Sequence, residues 1–502
     1  MRCILLVSAA CALQFATSAC GQAGQKATLE SRSVGIVRDP DATLPPYTFS
    51  SADEELLDLV QRGAFNYLWN EIDPETGMVL DRTGAGFISV AGVGFQLGAI
   101  CVADSRGWIS RKEAEGRVSL IVRSLHGNTD NRPGGVFYHF LEPGSAGPSG
   151  GAYEQVASTI DTAILFSGLL TASAYFGGEV AELADELVAE ANWNLFVDDA
   201  HQNAHELGFI SLGWEKPKDA DASFEDGLLP YTWADAGDEQ RLTCFIAMCS
   251  PKPDHRVSAE TYYKLRRTLG DVPEEGEVVW FPWSGALFTS FFAHCWIDYA
   301  SMGADNPSQF EVENRPRVDW WENTRRHVQL HRQRALAADR PFDGFGENVW
   351  GLSACDGEHG YLVPGHFPDL AADQPGELDF DHLKVSQQDD WRDGTVAPYT
   401  AGSAIMFEPA ASVAALREYR ARAGGAAGLW QDPGKGGYGF ADSFRPTADG
   451  GVEWVAHDRV AIDAGPLLIA IENARTGMIW KTFGSHAFVR DAENRLGLNR
   501  IR

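Results

Sequence analysis

Residues 89–127 read SVAGVGFQLGAICVADSRGWISRKEAEGRVSLIVRSLHG. The first half, closed by Gly107, is an apolar helix whose small residues let another helix pack close against it. The second half starts at the Ser110 cap, ends at Gly127 and is far more charged. An apolar helix turned back on a charged one makes a hairpin with one buried and one solvated member. The pattern extends in both directions. Upstream, residues 50–69 open on Ser51 and Glu54 as a capping box and place Leu57, Val60, Ala64 and Leu68 on one stripe. Downstream, residues 157–177 and 178–197 form a second helical hairpin, and further helices are expected near 238–249, 258–268, 285–301, 312–338, 408–421 and 462–474. Strand signals are few and short, such as GFISLGW and GGVFYHFL.

About twelve helices paired by short turns close naturally into a ring. The expected fold is therefore all-α, an (α/α)6 toroid of six helical hairpins with the more apolar helices inside. No repeat of fixed length supports an open solenoid. Long connections at 127–156, 199–237, 270–284, 339–398 and 422–461 would converge at one rim, where function tends to sit. They carry Trp214, Trp233, Trp280, Trp283, Trp350, Trp391, Tyr438 and Trp454, which suit a cleft lined by rings for sugar faces.

The chain has 502 residues and a net charge of −29, from 41 basic and 70 acidic residues. That balance disfavours nucleic acid, since no attraction to a polyanion is available. The first twenty residues, MRCILLVSAACALQFATSAC, read as an export signal too short and interrupted to span a bilayer. TSAC resembles a bacterial lipobox with Cys20 as the lipidated residue. Three segments follow from this: a signal over 1–20, a polar tether over 21–50 and one domain over 51–502. The expected location is the periplasm or the outer membrane, with a lipid anchor as the sole membrane contact, and a monomer is expected. Cys101, Cys244, Cys249, Cys295 and Cys355 sit in apolar or small-residue runs and read as buried small hydrophobes.

Glycoside cleavage needs one carboxylic acid to protonate the leaving oxygen and a second carboxylate to activate water or attack. Four stretches offer carboxylates among aromatics and glycines. YTWADAGDEQR places Glu239 at the entry to an apolar helix, with Asp235 and Asp238 nearby; a helix-start Glu is also a plain dipole-complementing choice. STIDTA puts Asp161 in a first turn, where capping explains it equally well. FGENVWGLSACDGEHGY gathers Glu347, Asp356 and Glu358 around Trp350 and Tyr361. GGYGFADSF holds Asp442 after Tyr438 and Phe440.

Other signals carry no chemistry. HVQLH spaces His327 and His331 like metal ligands, but four flanking arginines point to a solvated basic face. GKGGYG lacks the strand and spacing of a phosphate loop. Neither a metal nor a cofactor is expected.

In order, several motifs resemble the bacterial glucoamylase-like family, whose characterised members are endo-β-1,2-glucanases of glycoside hydrolase family 144 and its relatives. They include VAGVGFQLGAICVADSRGWISRKEAEGRV, GGVFYHFLE, STIDTA, FIAMCSP, WWENTRRHV, GFGENVWGLSACDGEHGY, GYGFADSF and AIDAGPLLIAIENARTGMIW. The matches run from about residue 53 to 480. The resemblance implies an (α/α)6 glycosidase acting on β-1,2-linked glucose, with the family's glutamate at Glu239 and its aspartates at Asp161 and Asp356. Three departures lie in the presumed cleft: Ala236-Gly237-Asp238 replaces an aromatic followed by Ser or Asn, Glu358 stands where Pro is usual, and FTSFFAHCWID lacks a Gln.

The expected function is hydrolysis of β-glucan, with Glu239 as general acid, Asp356 as base and Asp161 holding a hydroxyl or a water chain. Sugar contacts are expected from Arg82, Tyr138, His139, Trp214, Trp233, Asp235, Glu347, Trp350, Tyr399, Tyr438, Phe440 and Asp442. The alternatives are a transglycosidase or cyclising enzyme on β-1,2-glucan, an exo-acting hydrolase, and a surface glycan-binding lipoprotein without activity.

Overall fold

A computed structural model describes residues 35–150, 155–200, 206–219, 221–370 and 388–501. The apolar helix of the opening stretch is α2, Val90–Ser105, and follows α1, Ser51–Asn70. Fourteen of its sixteen residues are buried, whereas the next helix, α3, Arg111–Gly127, buries five of seventeen. The same alternation recurs in α4, Thr159–Phe176, with fifteen of eighteen buried, and α5, Gly178–Glu190, with four of thirteen. Helix α4 is long and apolar enough to cross a membrane, but its apolar surface is spent on its neighbours. The remaining helices are α6 (Asp238–Cys249), α7 (Ala259–Lys264), α8 (Trp320–Leu336), α9 (Pro398–Ser403), α10 (Pro409–Arg422), α11 (Ala461–Thr476), α12 (Met478–Ser485) and α13 (Ala487–Arg495).

The buried members form the inner ring. Helix α2 packs between α4 and α11, α4 continues to α6, and α9 closes against α11. Glycines set the spacing. A Cβ on Gly94 would lie 2.4 Å from the carbonyl oxygen of Ile164, and one on Gly168 would lie 2.2 Å from that of Gly94. On the other face a Cβ on Gly465 would meet Phe95 Cβ at 2.2 Å. The backbones of α2 and α4 thus touch directly, which only glycine permits. Helices supply nearly all of the frame; the strands are short pairs and one three-stranded sheet among the described residues. This is the expected helical toroid.

Four local expectations change. The helix expected over 285–301 is instead three 3-10 turns, 287–290, 293–295 and 299–301. Buried Asp238 accepts the amides of Ala293 and His294, so these N–H groups bond a side chain and not a preceding carbonyl. The cap of α1 is Ser50, whose hydroxyl accepts from the Asp53 amide at 3.2 Å, one residue before the expected box. His327 and His331 are buried, bonding the carbonyls of Val279 and Gly285 at 2.9 and 3.0 Å. Their side of α8 therefore faces a hairpin and not solvent.

Finally, the stretch read as a tether is packed structure from Gly35 onward. Ile36 bridges to Val318, buried Arg38 pairs with Asp319, and the Tyr47 hydroxyl donates to Met406 O at 3.0 Å. The signal and Cys20 lie outside the described residues. The five internal cysteines are buried and unpaired, as their apolar settings suggest.

Candidate active site

The inner segments begin at the same rim, and a cavity of about 120 Å³ opens there. Ser89 caps α2, Ser158 caps α4, Glu239 is the second residue of α6, Phe288 is the second residue of the 287–290 turn and Asp463 lies in the first turn of α11; all five line the cleft. Helix N-termini favour negative charge, so this rim is where carboxylates are least costly to place.

Glu239 stands on one wall. It is part-buried at the cleft, and no described residue donates a hydrogen bond to its carboxyl group. Burial pushes the carboxyl up to about 8, and the like charges of Asp161 and Asp238 add to the effect. It is thus a neutral acid near neutral pH. Asp161 lines the same wall at 6 % exposure, bonded to the Ser158 hydroxyl, with His139 Nε2 at 3.5 Å from its Oδ1. His139 is 4 % exposed, and its buried Nδ1 has no partner among the described residues. Trp233 is fixed by its indole N–H, which donates to Thr159 Oγ1 at 2.8 Å.

The opposite wall is anionic but anchored by one cation. Arg82 reaches Asp81 Oδ2 at 3.1 Å and Asp356 Oδ1 at 2.8 Å. Asp356 sits in a two-stranded hairpin opposite Tyr361, and its amide donates to Asp442 Oδ2 at 2.7 Å. Burial raises the Asp356 carboxyl and Arg82 opposes the rise. Asp442 is buried and pushed up to about 7, first by burial and then by Asp356.

Several expected contacts lie elsewhere. Asp238 faces inward, ion-paired to Arg241 beneath the cleft. Asp235 is clamped by both ends of the Arg266 guanidinium at 3.0 and 2.8 Å. Trp214 donates to Phe224 O at 2.8 Å and stacks on that ring, and Trp350 is fully buried in the core. Glu347 is exposed, and Tyr138 is buried beside Ala157; neither lines the cavity. Tyr399, Tyr438, Phe440 and Asp442 line a smaller adjacent cavity, which meets the cleft at Asp463. Asp81, Trp283, Tyr361 and Asp463 line the cleft and were not singled out from sequence as site residues. Trp283 stood out only as one of many loop tryptophans, and Asp463 reads as an ordinary helix-start residue.

The cleft can therefore protonate an oxygen from the Glu239 side, while Arg82 lines it and links it to Asp356, which does not itself line the cavity. Trp233, Trp283, Phe288 and Phe292 offer apolar faces between them.

A family model described as "Putative glucoamylase" matches residues 230–487, more than half of the chain. A curated relative from Parabacteroides distasonis, an exo β-1,2-glucooligosaccharide sophorohydrolase, is 26 % identical over 507 residues. The alignment covers 94 % of this chain and 62 % of that protein, so the chain spans under two thirds of its relative. Among solved structures, an endo-β-1,2-glucanase from Chitinophaga pinensis, in complex with sophorotriose and glucose, superimposes with a TM-score of 0.69 at 21 % identity, covering 89 % of this chain and 98 % of the other. A β-1,2-glucanase from Parabacteroides distasonis gives 0.71 at 22 % identity, covering 90 % and 60 %.

Proposed function

The chain belongs to the glucoamylase-like family, and from that footing we propose that it is a glycoside hydrolase cleaving β-1,2-linked glucan, with Glu239 as the general acid. The observation that carries the reading is the Glu239 carboxyl, held neutral up to about 8 on the wall of a ring-lined cleft. An acid in that state donates its proton to the departing glycosidic oxygen. The Asp356–Arg82 side supplies the second carboxylate of the pair that such cleavage needs. Asp161 and His139 are placed to hold a sugar hydroxyl or a water beside the acid. The printed activities of the relatives support the β-1,2 linkage. The leader-like residues 1–20, with Cys20, support export and lipid anchoring.

Incubation with linear β-glucans of β-1,2, β-1,3, β-1,4 and β-1,6 linkage, read by chromatography, tests the substrate. Shortening of the β-1,2 chain alone is expected, with one new reducing end per cut. Release of disaccharide from the first minutes marks exo action, and a spread of lengths marks endo action. A constant number of reducing ends would show glycosyl transfer instead, and a retained but uncut glycan would show a binding protein.

The pH profile tests the acid. Glu239 must be protonated, so activity falls as pH rises through about 8. In Asp161→Asn one like charge beside Glu239 is gone. The carboxyl then ionises at lower pH, and the alkaline limb of kcat/KM moves down. A limb unmoved in Asp161→Asn would detach it from Glu239.

A further inference from the structure

Asp463 has no role in the assignments above, yet it lies at the floor of the cleft and is 3 % exposed. Its neighbour Asp442 is 5 % exposed, and the two carboxyl side chains hydrogen-bond each other. Two carboxylates cannot do so without a proton between them. Asp442 Oδ1 and Asp463 Oδ2 are both buried without a donor among the described residues, both side chains line the smaller cavity, and Tyr399 is the other hydrogen-bond partner of Asp463. We propose that Asp442 and Asp463 share one proton and that this acid pair is the positioning unit for Asp356.

The chain of contacts supports it. The Asp463 and Asp442 side chains hydrogen-bond, Asp442 Oδ2 accepts the Asp356 amide at 2.7 Å, Asp356 holds Arg82 at 2.8 Å, and Arg82 holds Asp81 at 3.1 Å. Four carboxyl groups in that chain face one arginine. Arg459 faces Asp442 from the side of the smaller cavity, while Asp458 adds negative charge beside Asp356. Tyr67, Tyr361, Tyr399 and Cys355 complete the surroundings, and burial raises each of them, which keeps them neutral. A proton on the Asp442–Asp463 pair relieves the excess charge where it is most buried. Burial and Asp442 together raise the Asp463 carboxyl well above the ordinary range.

The effect on turnover rests on the proposed hydrolase reading; the shared proton does not. The test is therefore the pH dependence of melting for wild type, Asp463→Asn and Asp463→Ala. A carboxyl whose folded pKa is raised contributes stability that is fully present below its unfolded pKa and is lost as pH rises through the folded one. The amide of Asp463→Asn keeps the donor and cannot ionise. That variant should melt with wild type at about pH 3.5, below the ordinary Asp range, and increasingly above it as pH rises to about 8.5. Asp463→Ala leaves Asp442 without its donor and should melt below wild type at both. Infrared spectra of the Glu239→Gln background should show a protonated carboxyl at neutral pH that disappears on adding Asp463→Asn. Asp463→Asn melting below wild type by the same margin at both pH values, or an unchanged infrared spectrum, would overturn the shared proton. With linear β-1,2-glucan, Asp463→Asn should keep kcat within a few-fold, whereas Asp463→Ala should lower kcat with KM unchanged. Equal kcat in the two variants would overturn the positioning role. Inactive wild-type protein would count against the hydrolase reading and leave the melting and infrared results to decide the pair.

Discussion

Glu239→Gln lowers turnover by about a thousandfold while leaving the fold intact. Gln keeps the shape of a neutral Glu and fills the same space in the cleft, but it has no proton to give. The wild-type carboxyl is already neutral over much of the working range, so binding changes little and the loss falls on kcat. Stability moves the other way. The raised carboxyl makes wild type lose stability as pH climbs from the ordinary Glu range toward about 8, because the folded state holds a proton that the unfolded chain has released. Gln removes that penalty, so the inactive variant should melt above wild type on the alkaline side. Loss of turnover together with a melting temperature that drops at every pH would mean a structural role and not an acid.

Gly94→Val should prevent folding at physiological temperature. Its Cβ would sit 2.4 Å from the Ile164 carbonyl oxygen, and a backbone atom cannot swing aside as a side chain can. Relief requires moving α2 away from α4, which opens the most intimate contact of the inner ring. Overpacking of ordinary cores costs about 1–3 kcal/mol. A clash with backbone on a two-sided helix should exceed that range, against a total stability on the order of 5–15 kcal/mol. Gly116→Val in outer helix α3 is the control, since a Cβ there meets nothing within 4 Å. Circular dichroism and soluble yield read both variants.

These two residues show why the fold was more legible than the site. Gly94 lies in a long, strongly patterned stretch, and small residues in an apolar helix announce close packing without any knowledge of the partner. Helix periodicity is local, and so it survives in the sequence. The failure at 285–301 has a non-local cause: the run is as apolar as a helix, but Asp238 from another hairpin takes the amides of Ala293 and His294. Glu239 was visible through its motif and its neighbours, although position alone made it a helix-start residue. Trp214 and Trp350 were misleading because a place on a loop says nothing of exposure; one stacks on Phe224 and the other is core. Asp463 was hidden for a similar reason. A first-turn Asp is ordinary, and only the closed ring brings Asp442, twenty-one positions earlier in the chain, against it.

The most direct test sets wild type beside Glu239→Gln on linear β-1,2-glucan and counts reducing ends over time across the pH range. The acid role of Glu239 predicts steady release by wild type that falls as pH rises through about 8, and almost none from the variant at any pH. Equal release from both proteins, or none from wild type, would contradict it.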